Sequence, residues 1–303
     1  MNLVFYNRIM DIIDKNRIYT NEPMKNHTTF RVGGSADFFV VPKTKEEVKN
    51  IVALCQEMDM PYYVLGNGSN LLVGDKGYRG VIVQIYKEMN TIQVEENRMK
   101  VQAGALLSKI GSAALEAGLT GFEFAAGIPG TMGGAVSMNA GAYGGEMKDV
   151  LYDVTVLTPA GEIITLQKEE LELGYRTSIV ARKSYIVLEA TIVLEKGDKE
   201  AIKARMDELR GLRTAKQPLE YPSAGSTFKR PEGYFAGKLI QDSGLRGFQV
   251  GGAQVSEKHC GFVINKENAT AADILELMRQ VSAIVKEKFG VELEAEVKRL
   301  GEF

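Results

Sequence analysis

Between residues 121 and 145 the chain carries eight glycines, and from Phe124 to Gly145 it carries no charge. The central run reads Gly127-Ile128-Pro129-Gly130-Thr131-Met132-Gly133-Gly134-Ala135-Val136-Ser137-Met138-Asn139-Ala140-Gly141-Ala142-Tyr143-Gly144. So little side chain leaves bare backbone. Its N–H groups can converge on an anion, and the missing Cβ atoms let a flat ligand come close. A flexible tether is the plain alternative, but Ile128, Pro129, Met132, Val136 and Met138 suit a solvated linker poorly.

A second cluster, Gly66-Asn67-Gly68-Ser69-Asn70, lies between the apolar runs Tyr62-Tyr63-Val64-Leu65 and Leu71-Leu72-Val73. It reads as strand, tight loop, strand. No helix follows it directly, so it is not the dinucleotide fingerprint, and it lacks the Gly-Lys-Ser/Thr ending of a P-loop. An Asn-Gly hairpin turn is the simple alternative. Two such loops in one chain suggest a diphosphate held by backbone amides outside the familiar nucleotide folds.

At 303 residues the chain is long enough for two or three domains with a substantial core. Its formal net charge is −2, and no basic block marks a nucleic-acid partner. Charges interrupt the apolar pattern of Met1 to Arg17, which argues against a secretory leader. No run approaches the roughly 20 apolar residues that span a bilayer. The cysteines Cys55 and Cys260 and the histidines His27 and His259 are isolated, without metal spacing. The expectation is a cytoplasmic protein with reduced thiols and no metal.

The pattern predicts a helix over 44–59, with a Thr44–Glu47 capping box and Val48, Ile51, Val52, Cys55 and Met58 at helical spacing. A second helix runs from Ala105 to Ala117 and stops at Gly118. Strands follow at Val81–Ile85, Thr91–Val94, Met99–Ala103 and Tyr185–Leu194, with a hairpin of Val154–Thr158 and Glu162–Leu166. A charged helix spans Asp198 to Leu212. Thr270 caps a long helix that Gly290 ends, and an alternating terminal strand covers Val291 to Leu300. The pattern divides the chain into a region over 1–196, in lobes of roughly 1–85 and 86–196, a smaller α/β domain over 197–290 and a terminal strand over 291–303; the resemblance described next implies that the first is flavin-binding, that the second is substrate-binding and that the strand returns toward the active site.

The paired loops resemble the FAD-binding domain of vanillyl-alcohol-oxidase (PCMH-type) flavoproteins. Within that group the chain is similar to the UDP-N-acetylenolpyruvoylglucosamine reductase family. The likeness begins at Asn26-His27-Thr28-Thr29-Phe30-Arg31-Val32-Gly33-Gly34 and runs through both glycine loops. It continues through Gly174-Tyr175-Arg176-Thr177-Ser178 and Gly225-Ser226-Thr227-Phe228-Lys229 and ends at Leu293-Glu294-Ala295-Glu296-Val297. It implies an α+β fold with a two-lobed FAD domain, and a cytoplasmic, peptidoglycan-precursor enzyme acting on a CH–CH bond. FAD is bound non-covalently and NADPH is the reductant. The substrate is UDP-N-acetylglucosamine-enolpyruvate and the product UDP-N-acetylmuramate. A flavin oxidase on the same fold and a non-catalytic nucleotide-binding protein are the rival readings. No coiled-coil repeat demands a partner, so a monomer is expected.

Reduction of an enolpyruvyl group needs a cation and an acidic hydrogen-bond donor for the developing enolate, and a donor that protonates the α-carbon. The resemblance gives these roles to Arg176, Glu296 and Ser226 respectively. From residues alone, Arg176 reads as a surface or ion-paired arginine, Ser226 as a turn serine, and Glu296 as one of three glutamates on a solvated strand face. The cofactor residues expected are Gly66, Asn67, Gly68, Ser69 and Asn70, with Gly127, Ile128, Pro129, Gly130, Thr131, Gly133 and Gly134. Tyr143, Arg213, Lys216 and Arg230 are candidates for the substrate, although Arg213 and Lys216 also offset the dipole of the helix they end. Only about 50 residues separate Arg176 from Ser226. This matches the shorter type of the family, which lacks an inserted loop whose tyrosine covers the substrate.

Overall fold

The computed structural model describes residues 2–303. The chain forms two compact units and passes between them repeatedly. One comprises the residues up to 19 with 38–67 and 80–212, and the other comprises 20–37, 68–79 and 213–303.

The first unit has two apolar cores. In one, the Leu3–Ile9 helix and the Lys45–Glu57 helix bury Phe5, Ile9, Ile51, Leu54 and Cys55 against Phe38, Val40, Val81 and Val83. The Phe5 and Phe38 rings lie 4.8 Å apart and tilted, a favourable aromatic geometry. The Tyr62–Leu65 strand runs parallel to Tyr78–Gln84, with Tyr62 opposite Val81. Thr44 Oγ1 accepts the Glu47 N–H at 3.1 Å, as a cap should. The expected capping box does not close, however. The Glu47 carboxylate instead takes both guanidinium nitrogens of buried Arg17, at 2.6 and 2.8 Å, and the Lys43 N–H at 2.6 Å. A bidentate charge-assisted pair outcompetes a single backbone donor.

The other core lies on a five-stranded antiparallel sheet. Its order is Ile163–Gln167, Leu151–Leu157, Ile186–Val193, Arg98–Gln102 and Ile92–Glu95. Alternation sends Leu188, Ala190 and Ile192 inward, as the period of two requires. The Leu107–Ala117 helix packs Leu107, Ile110 and Ala114 into the same core and ends at Gly118, whose φ of +66° is the left-handed cap.

The second unit is an antiparallel sheet of Ser223–Ser226, Phe262–Asn265, Ala253–Val255 and Gln249–Val250. The Ala271–Phe289 helix shares its core through Ile274, Leu277, Met278, Val281 and Val285. That helix starts on a closed capping box of Thr270 and Asp273, and Asp75 accepts the next two N–H groups, from Ala271 and Ala272.

One alternative falls here, and one expectation changes. The strands flanking Gly66–Asn70 do not pair with each other. Tyr62–Leu65 pairs with Tyr78–Gln84, and Leu71–Val73 lies parallel to Lys298–Leu300. The loop is therefore no hairpin turn. The terminal strand is regular only over Lys298–Leu300. Its earlier part meets the chain at one bridge, Phe228 opposite Ala295, because its neighbour there is the short Thr227–Lys229 stretch rather than a full strand.

The Asp273 carboxyl is held below its usual range chiefly by the Thr270 N–H, with the Gly252 N–H adding to it. A lowered folded value stabilises the protein above the ordinary aspartate range and is lost as pH falls through the folded value. Thr270→Ala should cost about 1 kcal/mol in urea unfolding at pH 7. Asp273→Asn should lose less stability than wild type on going from pH 7 to pH 3.

Candidate active site

In the first unit the two glycine loops touch. A Cβ on Gly66 would fall 2.5 Å from Thr131 Oγ1, so only glycine fits without movement. Asn67 Nδ2 donates to the Pro129 carbonyl at 2.7 Å. Thr131 is buried and starts the short Met132–Ser137 helix, while Gly127, Pro129 and Gly134 are exposed. Ile128 packs onto the sheet core. Gly133 sits 3.1 Å, measured from its virtual Cβ, from the Ala103 methyl and donates its N–H to the Ala103 carbonyl. Among the described residues, the N–H groups of Asn67, Gly130 and Thr131 donate to no protein acceptor. Unused backbone donors with no side chain in front of them form an anion cradle. That fits the diphosphate of a dinucleotide.

A cavity of ≈ 500 Å³ adjoins this loop, lined by Tyr86, Lys87, Asn90, Ile92, Gly104 to Leu106 and Lys109. Its floor is tied to the second glycine loop, since Met132 donates to Ala105 and Leu107 to Gly130. Sequence reasoning passed over these residues. The available signal was Ala103-Gly104-Ala105 between a strand and a helix; a Cβ on Gly104 would lie 2.5 Å from the Met89 carbonyl oxygen.

Arg176 lies in the same unit. Gly174 and Thr177 exchange backbone hydrogen bonds at 3.1 and 3.3 Å, which leaves Tyr175 and Arg176 at the tip of a tight turn. Arg176 has φ of +54°, and its guanidinium lies 5.2 Å from the centre of the Tyr175 ring. Tyr143 is exposed at φ of +53° and is followed by Gly144 at +90°.

The second unit carries Gly68, Ser69 and Asn70, and with them Ser226 and Glu296. Gly68 is buried; a Cβ there would lie 2.0 Å from the His27 carbonyl oxygen. Ser223 opposes Ile264 but Ser226 opposes Phe262, so three residues of one strand span two of the other. This is a bulge, with Gly225 at φ of +75°. Bulges re-aim side chains, and Ser226 is exposed while Thr227 is fully buried. Thr227 donates to the Gly261 carbonyl, its Oγ1 accepts the Val263 N–H, and its carbonyl accepts the Glu296 N–H at 2.8 Å. Asn70 Nδ2 donates to the Glu296 carbonyl at 3.2 Å. The fold thus sets Ser226 and Glu296 on adjoining segments, with a residue of the first glycine loop bonded to one of them. Of the other terminal glutamates, Glu292 pairs with Lys286, and Glu294 pairs with Lys229.

Arg213 and Lys216 do end a helix, Lys199–Lys216. Burial pushes the His259 imidazole below its usual value, and nearby Lys216 lowers it further. Arg230 is exposed and stacks over Phe235 at 4.4 Å. Both cysteines are buried free thiols. Burial pushes Cys55 up to about 12 and also raises Cys260, so neither is a ready thiolate. Among the described residues no cluster of metal-ligating side chains occurs, and no helix is long and apolar enough to cross a membrane.

Comparison with known proteins gives the family of the chain. Residues 36–167 match the profile of an FAD binding domain, and 217–300 match the C-terminal domain of UDP-N-acetylenolpyruvoylglucosamine reductase. The reductase of that name from Clostridium novyi is 55% identical over 295 residues, covering 97% of this chain and 96% of its own. The one from Geobacillus kaustophilus is 56% identical over 297 residues, covering 98% and 97%. The crystal structure of UDP-N-acetylenolpyruvylglucosamine reductase from Thermus caldophilus superposes with a TM-score of 0.79 at 38% identity, over 93% of this chain and 98% of that one. Alkyldihydroxyacetonephosphate synthase, at 17% identity and a TM-score of 0.50, covers 65% of this chain and 41% of its own, and shares the fold.

The contact between the loops can be tested directly. Gly66→Ala should drive a methyl against Thr131 and lower the flavin-to-protein ratio after purification to less than half that of wild type. Overpacking of this kind costs roughly 1–3 kcal/mol. The flavin absorption of equal protein concentrations measures the effect.

Proposed function

Because the chain belongs to the UDP-N-acetylenolpyruvoylglucosamine reductase family and itself matches an FAD-binding domain, we propose that it reduces the enolpyruvyl group of UDP-N-acetylglucosamine-enolpyruvate to give UDP-N-acetylmuramate, a peptidoglycan precursor. FAD, when bound, would supply the redox chemistry that carries hydride from NADPH to the β-carbon of the enol ether. Gly66, Asn67, Gly130 and Thr131 would hold its diphosphate through backbone N–H groups, with Gly127 and Gly134 leaving the approach clear. Ser69 and Asn70 extend the first loop.

The remaining steps belong to side chains. Hydride addition at the β-carbon leaves charge on the α-carbon and the attached carboxylate. Arg176 meets that carboxylate with a fixed cation. Glu296 hydrogen-bonds the enolate as it forms. Ser226 gives its proton to the α-carbon; a serine is a very weak acid, and only a strongly basic, carbanion-like centre can take its proton. The observation that carries this reading is the bulge at Gly225, which turns Ser226 outward beside the segment that presents Glu296. Arg213, Lys216, Arg230 and Tyr143 offer the positive charge and hydrogen bonds that a sugar-nucleotide diphosphate needs. We further infer that the protein acts in the cytoplasm, as a monomer, with NADPH as the preferred reductant.

Ser226→Ala and Glu296→Gln should each leave flavin reduction by NADPH close to wild type. Both should slow transfer to the enolpyruvyl substrate by about 10²–10⁴-fold. Glu292→Gln should be near neutral in both half-reactions. Anaerobic stopped-flow absorption separates the two steps. Equal slowing of both by Ser226→Ala, or substrate reduction at the wild-type rate in Glu296→Gln, would overturn these assignments.

A further inference from the structure

Asn139 sits in the second glycine loop, and the reaction described above assigns it nothing. It is almost fully buried, at 1% exposure, and holds the left-handed conformation at φ of +44°. Its side chain is fully engaged. Nδ2 donates to Glu146 Oε2 at 2.7 Å and to the Gly174 carbonyl at 3.2 Å, and Oδ1 accepts the Lys148 N–H at 2.9 Å. The Gly174 carbonyl is no neutral anchor point. It also closes the turn that carries Arg176, by accepting the Thr177 N–H. A second tether lies on the far side of that turn. Ser178, with no exposed surface, donates its hydroxyl to the Ser137 carbonyl at 2.7 Å and accepts the Ala181 N–H.

Two buried side chains therefore bind the glycine loop to the arginine turn, one on each side of Arg176. The turn needs such support, because a non-glycine residue at φ of +54° is held there against its own preference. A carboxylamide suits the post at 139. Asparagine tolerates positive φ, and it both donates and accepts. An aspartate would set its charge against Glu146 and could donate nothing.

We propose that Asn139 is a positioning residue: it fixes the Arg176 turn to the glycine loop, so that the cation is held in place for the substrate carboxylate before the substrate arrives. Ser178 serves the same purpose from the other side. The proposal rests on the reading of Arg176 given above. It adds that the loop contacting the cofactor and the group contacting the substrate are set by one buried side chain.

The test is a double-mutant cycle on the flavin-loaded full chain. Asn139→Gly removes the side chain while keeping a residue at ease with positive φ. It is combined with Arg176→Ala, and the rate of enolpyruvyl reduction is measured for wild type, both single variants and the double variant. A small misplacement of a catalytic group can cost about 10²-fold. Asn139→Gly should therefore slow reduction by about 10–10²-fold in the wild-type background and by less than twofold when Arg176 is already alanine. Its loss of thermal stability should be the same in both backgrounds, since the buried hydrogen bonds are lost in each. Equal kinetic costs in the two backgrounds would overturn the proposal, for Asn139 would then act without Arg176. Reduction at the wild-type rate in Arg176→Ala would overturn the reading of Arg176 itself, a separate failure. Should Asn139→Gly not fold, Ser178→Ala goes through the same cycle with the same criteria.

Discussion

Gly66 lies so near Thr131 that a single methyl group on it would meet the hydroxyl oxygen at 2.5 Å. Around this contact the chemistry of the first unit is arranged. It brings two loops, widely separated in sequence, into one backbone surface. The Asn67 amide locks them with a bond to the Pro129 carbonyl. Once locked, the loops have N–H groups with nothing of the protein to donate to, an arrangement that is costly when buried and useful when an anion is bound. The lack of side chains is thus a requirement on two sides at once. The loops must come close to each other, and they must leave room for what they hold.

In the second unit the proposed role of Ser226 depends on where one hydroxyl is aimed. A regular strand through Ser223–Ser226 would put Ser226 on the same face as buried Ala224. The extra residue at the bulge breaks the alternation. It leaves Ser226 outside and Thr227 inside, and Thr227 then anchors the sheet on one side and the Glu296 segment on the other. The terminal segment is irregular for the same reason. It needs to reach one short stretch of chain, and it becomes a strand only where Leu71–Val73 offers a partner.

Periodicity made the helices and most strands legible. The Ala271–Phe289 helix, with its Thr270 cap and Gly290 stop, follows from spacing and capping chemistry, as do Leu107–Ala117 and the antiparallel pair around Pro159-Ala160-Gly161. The features that escaped depend on partners far along the chain. Glu47 gave up its capping role to Arg17, 30 residues earlier. Glu296 looks like Glu292 and Glu294 by spacing, and differs from them through backbone contacts to Thr227 and Asn70. Asn139 carries no local signal within its glycine-rich run, because its partner Gly174 lies 35 residues on. The glycine loops themselves were plain from the start, since backbone exposure is written in composition. The roles of Arg176, Ser226 and Glu296 came from resemblance to a family, as no local pattern distinguishes them.

In the proposed reaction this chain passes reducing equivalents from NADPH to an enolpyruvyl sugar nucleotide. The most direct measurement is anaerobic absorption spectroscopy of the purified yellow protein. Stoichiometric NADPH should bleach the flavin, and UDP-N-acetylglucosamine-enolpyruvate added afterwards should restore the oxidised spectrum, with one equivalent of UDP-N-acetylmuramate formed. A flavin that NADPH bleaches but that only oxygen, and not the enolpyruvyl compound, reoxidises would contradict the account.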